Sequence, residues 1–476
     1  MQAKIEELTR QILGEITPTE VQRAKIQALS LQLEQKIRDV CKKEGVDAVV
    51  RVEGSIAKDT WITENPDIDV FMKLPKNIPR ENLGDVGLKI AKSAAGDAEQ
   101  IERFAEHPYL QIIQDGMRID IVPCYNVERG QWQSATDRTP FHTDYIKKNL
   151  NLALLGEVRL LKKFMQGIGV YGAEVKIGGF SGYLCELLIM RYQSFVCAVA
   201  AFADFACRAV IDLEGYFSQN QRDLDLLFPE IFVVIDPVDK ARNVASPVQT
   251  QKLYTLIAAS RAFLKNPDKK FFYPPKTTAF SSEELMTQLE HRGSSLLFVV
   301  VDQLEAVPDV LWGQLYRTRR SLRDLLELAD FKVLKDAVWS NEKTHSIFIF
   351  ELETAELPNV KKHLGPPLER EAECQKFLGK YAQNPAVISG PSIEEGKWVV
   401  ELPRKATDAV ELLRDKLVDG GKRVGVADLI AKSMLQKYQV LLGNQIGEIY
   451  RINPEFAVFL TDFLSGKPFW LQTPDA

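Results

Sequence analysis

Residues 54–71 run Gly54-Ser-Ile-Ala-Lys-Asp-Thr-Trp-Ile-Thr-Glu-Asn-Pro-Asp-Ile-Asp-Val-Phe71, and their spacing limits what the chain can be. A short apolar strand, Ala48 to Glu53, leads in. Gly54 and Ser55 then begin a helix, whose unpaired backbone N–H groups and partial positive charge suit a phosphate. Glycine at the turn lets the backbone come close to such a group. Asp67 to Leu74 reads as a second strand. Asp67 and Asp69 are two apart on it, so both carboxylates leave the same face, while Ile68 and Val70 fill a core on the other. Two carboxylates side by side repel unless a cation lies between them. A site built only from oxygen favours magnesium, so Mg2+ is the expected cofactor.

The third acid lies further along. Leu110 to Gln114 and Met117 to Pro123 flank Asp115-Gly116, and Asp-Gly between two apolar runs signals a hairpin. Asp120 sits in its second strand, within Arg118-Ile-Asp-Ile-Val-Pro123. A carboxylate from a neighbouring strand would complete a two-metal site. Asp-x-Asp alone usually marks a solvated strand face, and Gly-Ser before a helix is usually a plain cap. The combination, with Asp67 twelve residues after Ser55, is much rarer and indicates a nucleotidyltransferase.

The remainder of the chain sets the frame. Its 476 residues are 45% hydrophobic and 26% charged, enough apolar mass for about three domains. Residues 1–45 read as helical, with a helix start at Thr17-Pro-Thr-Glu20. A β-rich block runs from Asp47 to about Tyr125, and a helical region from Gly156 to Leu264, including a buried helix over Ser194–Val210. Prolines at 267, 274 and 275 mark the passage to a last region. There Ser295–Asp302, Thr344–Leu352 and Trp398–Leu402 read as strands among helices. The expected fold is α/β and multidomain: a nucleotidyltransferase head with a mixed β-sheet, a helical middle domain, and an α/β C-terminal body and tail. The domains would be 1–145, 146–268 and 269–476. No run of about 18 apolar residues suggests a membrane span, and the N-terminus has no signal-peptide core, so the expected location is cytoplasmic. The six cysteines form no Cys-x-x-Cys pair, which argues for buried reduced thiols rather than zinc or disulfides. The net charge of -5 gives no bulk sign of nucleic-acid binding, although a local basic surface can sit on an acidic protein.

Longer motifs narrow the reading. Glu106-His-Pro-Tyr109, Val122-Pro-Cys-Tyr125, Ser134-Ala-Thr-Asp-Arg-Thr-Pro-Phe-His142, Gly156-Glu-Val-Arg-Leu-Leu-Lys162 and Val170-Tyr-Gly-Ala-Glu174 follow in order. So do Gly179-Phe-Ser-Gly-Tyr-Leu-Cys-Glu-Leu-Leu188 and Asp236-Pro-Val-Asp-Lys-Ala-Arg-Asn-Val244. This order and spacing resemble the archaeal-type, class I CCA-adding enzymes, tRNA nucleotidyltransferases of the DNA polymerase β-like superfamily. The resemblance is dense from about Val52 to Ala245 and thin beyond. It implies template-independent addition of C, C and A to a tRNA 3′ end from CTP and ATP, with tRNA as partner, no membrane, and a homodimer left open. It also implies that Asp67, Asp69 and Asp120 bind metal. Gly54, Ser55, Lys58, His142, Lys162 and Tyr171 would bind the nucleotide, and Arg242 would read the base edge. Ile56 and Lys58 depart from the family pattern, where an aromatic residue and an arginine are common. The first carboxylate is Asp67, where glutamate also occurs, and its shorter side chain bears on metal preference.

Two other readings share these residues. A poly(A) or oligoadenylate polymerase would keep the fold and change the acceptor. A catalytically dead RNA-binding protein would have no need to retain three mutually repelling carboxylates. For the RNA surface, Arg317, Arg320 and Arg323 recur at three-residue spacing beside Arg319, either as phosphate contacts or as a solvated face paired with Asp324 and Glu327. Lys269-Lys-Phe-Phe-Tyr273 suits a nucleic-acid strand or a domain junction. Taken singly, Tyr171 could be a core aromatic, and Cys185 and Glu186 a core residue and a helix-surface contact.

Overall fold

The computed structural model describes residues 2–64, 66–104, 107–114, 116–302 and 306–472. It divides into two compact units, residues 2–276 with 468–472, and residues 277–467.

The first unit begins with two helices, α1 (Gln2–Ile16) and α2 (Glu20–Lys43). Thr19 caps α2 in a reciprocal box with Gln22, where the Thr-Pro-Thr-Glu stretch predicts a helix start. A five-stranded sheet follows: β1 (Val49–Glu53), β2 (Asp67–Leu74), β3 (Glu99–Phe104), β4 (Pro108–Gln114) and β5 (Met117–Tyr125). Its order is β1-β2-β5-β4-β3, and only β2 and β5 run parallel. One helical turn, α3 (Gly54–Ala57), joins β1 to the loop before β2. The expected hairpin forms, with Gln114 opposite Met117, although Asp115 itself, like Glu106 of the first long motif, lies outside the described residues. The β-rich block also holds a helix the sequence reading lacks, α4 (Leu83–Ala95), which lies against β4 and β5. Alternation does what the strand period requires. Ile68, Val70, Ile119 and Ile121 are fully buried in the core, and the aspartates between them leave the opposite face.

The rest of this unit comprises α5 (Thr139–Asn149), α6 (Leu155–Gly167), α7 (Gly182–Tyr192), α8 (Phe195–Ala203), β6 (Ala209–Ile211), α9 (Gln221–Leu227), β7 (Phe232–Asp236), β8 (Asp239–Asn243) and α10 (Thr250–Lys265). The helical reading of 156–264 therefore needs correction, because β6, β7 and β8 form a three-stranded sheet. Ser194–Val210 is not one helix either: α8 stops at Ala203, and the chain re-enters as β6. All five residues of β7 are buried, and a short run buried on both sides has no period by which to tell strand from helix. Among the described residues no single helix is long and apolar enough to cross a membrane; α7 and α8 reach that length and composition only when taken together, and they meet at 92°.

The second unit has a four-stranded sheet built from Ser295–Asp302, Val333–Ser340, His345–Leu352 and Tyr438–Leu442, with Ser295–Asp302 and His345–Leu352 at its centre. A smaller antiparallel sheet is formed by Val360–Pro367, Lys397–Pro403 and Ser389–Glu394. The three strands read from sequence are present, and four more accompany them. Four of the six cysteines are buried, but Cys197 and Cys207 are exposed, against the expectation that all would be buried; none forms a disulfide.

Candidate active site

Sheet register brings the three aspartates together. Asp69 lies opposite Asp120 across the parallel β2–β5 pair, and Asp67 opposite Arg118. All three are half-buried on one sheet face. Burial raises the pKa of all three, and mutual repulsion adds to the rise at Asp67 and Asp69. Asp69 is pushed up to about 7 by burial and then by Asp120 and Asp67. Asp67 rises to about 6 through burial, against the pull of Arg118 and with a further push from Asp120. Asp120 is also raised by burial, against a hydrogen bond from Gln111. Such a group of oxygens is short of positive charge.

Protein groups meet part of that need. The Arg118 guanidinium pairs with Asp67. Gln111 donates from Nε2 to Asp120 Oδ1 at 2.8 Å, and Arg103 fixes the Gln111 amide by donating to its Oε1 at 3.0 and 3.1 Å. Among the described residues no group of three or more His, Cys, Asp or Glu is arranged to hold a metal ion as it stands. The donor set still fits a hard divalent cation: all ligands are oxygens, their charges are like, and only Arg118 offsets them with a formal charge in direct contact.

Gly54 is shaped by the same centre. Its φ is +69°, and a Cβ there would stand 1.9 Å from Asp69 Oδ2. Only glycine lets the β1–α3 turn and the carboxylate share this space. The helix expected after Gly54 is a single turn, Gly54–Ala57.

A cavity of about 240 Å3 opens beside Asp67, with Ser55, Lys162 and Tyr171 in its wall together with Gln166 and Glu64, whose carboxylate is paired with Lys163. Lys162 on α6 and Tyr171 beyond it stay close to Gly182 at the start of α7, where a Cβ would meet the Tyr171 hydroxyl at 3.0 Å and Lys162 Nζ at 3.4 Å. Lys58 and Lys162 converge on Glu186. Lys58 Nζ is 2.6 Å from Oε2, Lys162 Nζ is 3.3 Å from Oε1, and the Thr60 hydroxyl also donates to Oε1. Burial would raise the Glu186 carboxyl, yet the two ammoniums hold it below its ordinary value. Glu186 is 0% exposed, so its reading as a helix-surface contact is corrected. Cys185 beside it is core, as expected.

A second buried carboxylate gathers the other predicted residues. Asp236 Oδ2 lies 2.8 Å from His142 Nε2 and accepts from Arg242 Nη1 at 2.8 Å. Oδ1 accepts from the Tyr183 hydroxyl at 3.2 Å and the Val238 N–H at 3.0 Å. The His142 ring stacks on Tyr183 at 4.0 Å. Burial opposes ionisation of Asp236, but the His142 hydrogen bond and the nearby positive charge lower it to about 2. Burial depresses His142 more than Asp236 restores it. Arg242 remains about a third exposed, so part of its donor fork faces outward. Arg138 pairs with Asp239 at 2.8 Å on the same hairpin. The ten predicted residues thus gather at three places: the aspartate face with Gly54, the cavity wall with Lys58 joined to Lys162 through Glu186, and the Asp236 cluster.

Three family descriptions match the chain: "Nucleotidyltransferase domain" over residues 33–150, "tRNA nucleotidyltransferase, second domain" over 156–273, and "CCA-adding enzyme, C-terminal domain" over 292–443. The CCA-adding enzyme of Methanosarcina barkeri (strain Fusaro / DSM 804) is 41% identical, covering 87% of this chain and 89% of its own length. The chain belongs to the CCA-adding enzyme family. The CCA-adding enzymes of Methanosarcina acetivorans and Methanopyrus kandleri are 37% and 32% identical, over 96% and 98% of this chain and 97% and 98% of theirs. Among solved structures, E. coli MS115-1 CdnC with ATP aligns with 56% of this chain and 94% of its own at 17% identity and a TM-score of 0.43.

Within this CCA-adding family member, the two candidate RNA surfaces resolve differently. Phe271 and Phe272 are core residues, Lys269 pairs with Glu15 at 2.6 Å, and Tyr273 lies under Lys163 at 4.0 Å. That segment is a packed junction of the first unit. In the second unit, the helix Pro308–Leu328 leaves Arg317 and Arg320 exposed. Arg319 and Arg323 instead reach Asp336 at 3.4 and 3.6 Å. Asp324 lies 3.7 Å from Arg323, but the principal acidic partner, Asp336, comes from the adjoining strand rather than from Glu327 on the same helix.

Proposed function

We propose that this chain adds C, C and A to the 3′ end of tRNA, using CTP and ATP and releasing pyrophosphate. The carrying observation is the register that sets Asp69 opposite Asp120, with Asp67 on the same face, in a chain of this family. Asp67, Asp69 and Asp120 would hold divalent metal, which we take to be Mg2+. Bound there, it would lower the pKa of the attacking hydroxyl and neutralise charge on the phosphates. The protein groups do the positioning. Gln111, held by Arg103, aims the Asp120 carboxylate toward the hydroxyl that attacks the α-phosphorus in line. Ser55, Lys58, Lys162 and Tyr171 would bind the triphosphate, with Gly54 leaving room for the backbone to approach it. Asp236 would present His142 and Arg242 to the nucleotide.

We assign the catalytic head to 1–145, a mainly helical neck that also carries the β6–β8 sheet to 146–268, and the tRNA-binding body and tail to 269–476, of which 269–276 and 468–472 pack within the first unit, with Arg317 and Arg320 as phosphate contacts. We place the enzyme in the cytoplasm. The test is to incubate the protein with Mg2+, CTP, ATP and tRNA lacking its 3′ end, and sequence the products. Termini ending in C, C, A support the reading; open-ended A tails would favour the poly(A) alternative, and no extension the inactive one.

Arg242 carries a separate prediction. Its fork has donors and no acceptor, and its charge does not vary over working pH. Loss of such a base contact costs about 1–3 kcal/mol of discrimination. Arg242→Ala is therefore expected to lose selectivity for CTP and ATP over UTP and GTP. If Arg242 serves only to neutralise Asp236, the mutant will lose melting temperature and all four rates together, with their ratios unchanged.

A further inference from the structure

The Lys58–Thr60–Lys162–Glu186 cluster holds an acid where the proposed ligand is strongly anionic. A carboxylate facing a triphosphate would repel it. Glu186 does not face the cavity: Lys162 lines the wall, and Glu186 is fully buried. Its placement comes from α7, whose N-cap Ser181 accepts from the Leu184 N–H and whose fourth and fifth residues, Cys185 and Glu186, lie in the core. Ion-pair stability is a weak explanation, because buried pairs of this kind are often no better than apolar residues of equal volume.

Hydrogen-bond bookkeeping gives a sharper one. An ammonium has three N–H donors. Lys162 directs all of its donors inward, to the Thr60 carbonyl at 3.0 Å, the Thr60 hydroxyl at 3.0 Å and Glu186 at 3.3 Å. Lys58 makes one such bond, to Glu186 Oε2, which leaves two N–H groups. Both side chains are nearly buried, at 6% and 3% exposure. Burial holds the Lys162 ammonium below its ordinary value, and Glu186 opposes that shift. The groups around them are Glu186 and Cys185 on α7, Asp69 on β2 and His142 on α5 near Lys58, Thr60 in the loop after α3, the Tyr183 ring 5.8 Å from Lys58, and the Tyr171 hydroxyl by Gly182. Glu186 is the acid in direct contact with both ammoniums.

We propose that Glu186 is the positioning residue of the triphosphate subsite, its buried carboxylate bridging Lys58 and Lys162 and holding both ammoniums aligned before a nucleotide arrives. The inference rests on the reading of those lysines as triphosphate-binding residues. In it, Lys162 acts through its charge and Lys58 through its remaining donors. Because the subsite precedes any contact with the base, the effect is the same for CTP and ATP.

The test uses the full chain with Glu186→Gln. The KM values for CTP and ATP are expected to rise together by about tenfold, equivalent to about 1.4 kcal/mol, with kcat at saturation and KM for tRNA nearly unchanged. Inorganic tripolyphosphate, bound calorimetrically without turnover, should weaken by a similar factor. Tighter binding of tripolyphosphate would show that Glu186 only competes with phosphate, and overturn the proposal. Unchanged binding, or a fall in kcat and melting temperature with KM preserved, would overturn it as well. Should Glu186→Gln not fold, Glu186→Asp keeps the charge and shortens the reach. Its nucleotide KM values are expected to rise by about threefold, and wild-type values would refute the proposal. Wild-type protein that binds tripolyphosphate but does not extend tRNA would instead count against CCA addition.

Discussion

Asp69→Ala and Asp120→Ala are each expected to lower nucleotide addition by more than a factor of about a hundred, since metal ligation supplies several kcal/mol of transition-state stabilisation. Binding of tRNA should survive, because neither residue contributes positive charge. Single-turnover rates with a gel-shift measurement on the same protein check both halves. Retention of more than about a tenth of the wild-type rate by either variant would defeat the metal assignment. Stability should move the other way. Asp69 is raised to about 7 by burial and by its two acidic neighbours, so the metal-free protein carries repulsion that Asp69→Asn removes. That variant should melt higher than wild type in chelator, and lose the rise in melting temperature that added Mg2+ gives wild type. A lower melting temperature in chelator would mean that the three carboxylates do not oppose one another.

Gly54→Ala is expected to be nearly as damaging as loss of Asp69, although it removes no functional group. A Cβ 1.9 Å from Asp69 Oδ2 cannot coexist with the present side-chain position, and alanine at a φ of +69° adds backbone strain. The carboxylate must turn away, or the β1–α3 turn must move and carry Ser55 with it. Either outcome should lower kcat by about a hundredfold, the cost of a misplacement near 1 Å. The melting temperature should fall by far less than for an apolar core deletion. Near-wild-type activity would show that Asp69 need not occupy this position.

The sequence made the aspartate face legible because strand alternation is local. Ile68, Val70, Ile119 and Ile121 fix the core side, and once Asp-Gly predicts the hairpin, Asp120 has one side to occupy. Partner identity was not legible. Nothing in the spacing of Arg103, Gln111 and Asp120 states that β4 and β5 set Gln111 opposite Asp120; pairing register decides it. The sequence carries a signal against Glu186 as a helix-surface contact: it is a lone acid in the apolar helix Gly182–Tyr192, while Lys162 and Lys163 interrupt an apolar stretch of α6. Buried charges of one sign imply the other nearby. The Asp236–Val244 motif was recognised by its residues but placed in a helical region, because the two-sided burial of Phe232–Asp236 erases the period.

The first compact unit is not continuous in sequence. Its core includes Phe271, on which Trp470 stacks at 6.3 Å and Phe469 packs edge-on at 6.2 Å, while Lys270 Nζ donates to the Trp470 carbonyl at 3.2 Å. Almost two hundred residues of the second unit are translated between these partners. A chain emerging from the ribosome can assemble the head and its sheet early, since domains fold as they appear. It cannot close the aromatic cluster around Phe271 until Phe469 and Trp470 are released. During synthesis that apolar surface must wait uncovered, and a nascent chain stalled short of Phe469 would present it to chaperones and proteases. The unit that is made first is therefore the last to be finished.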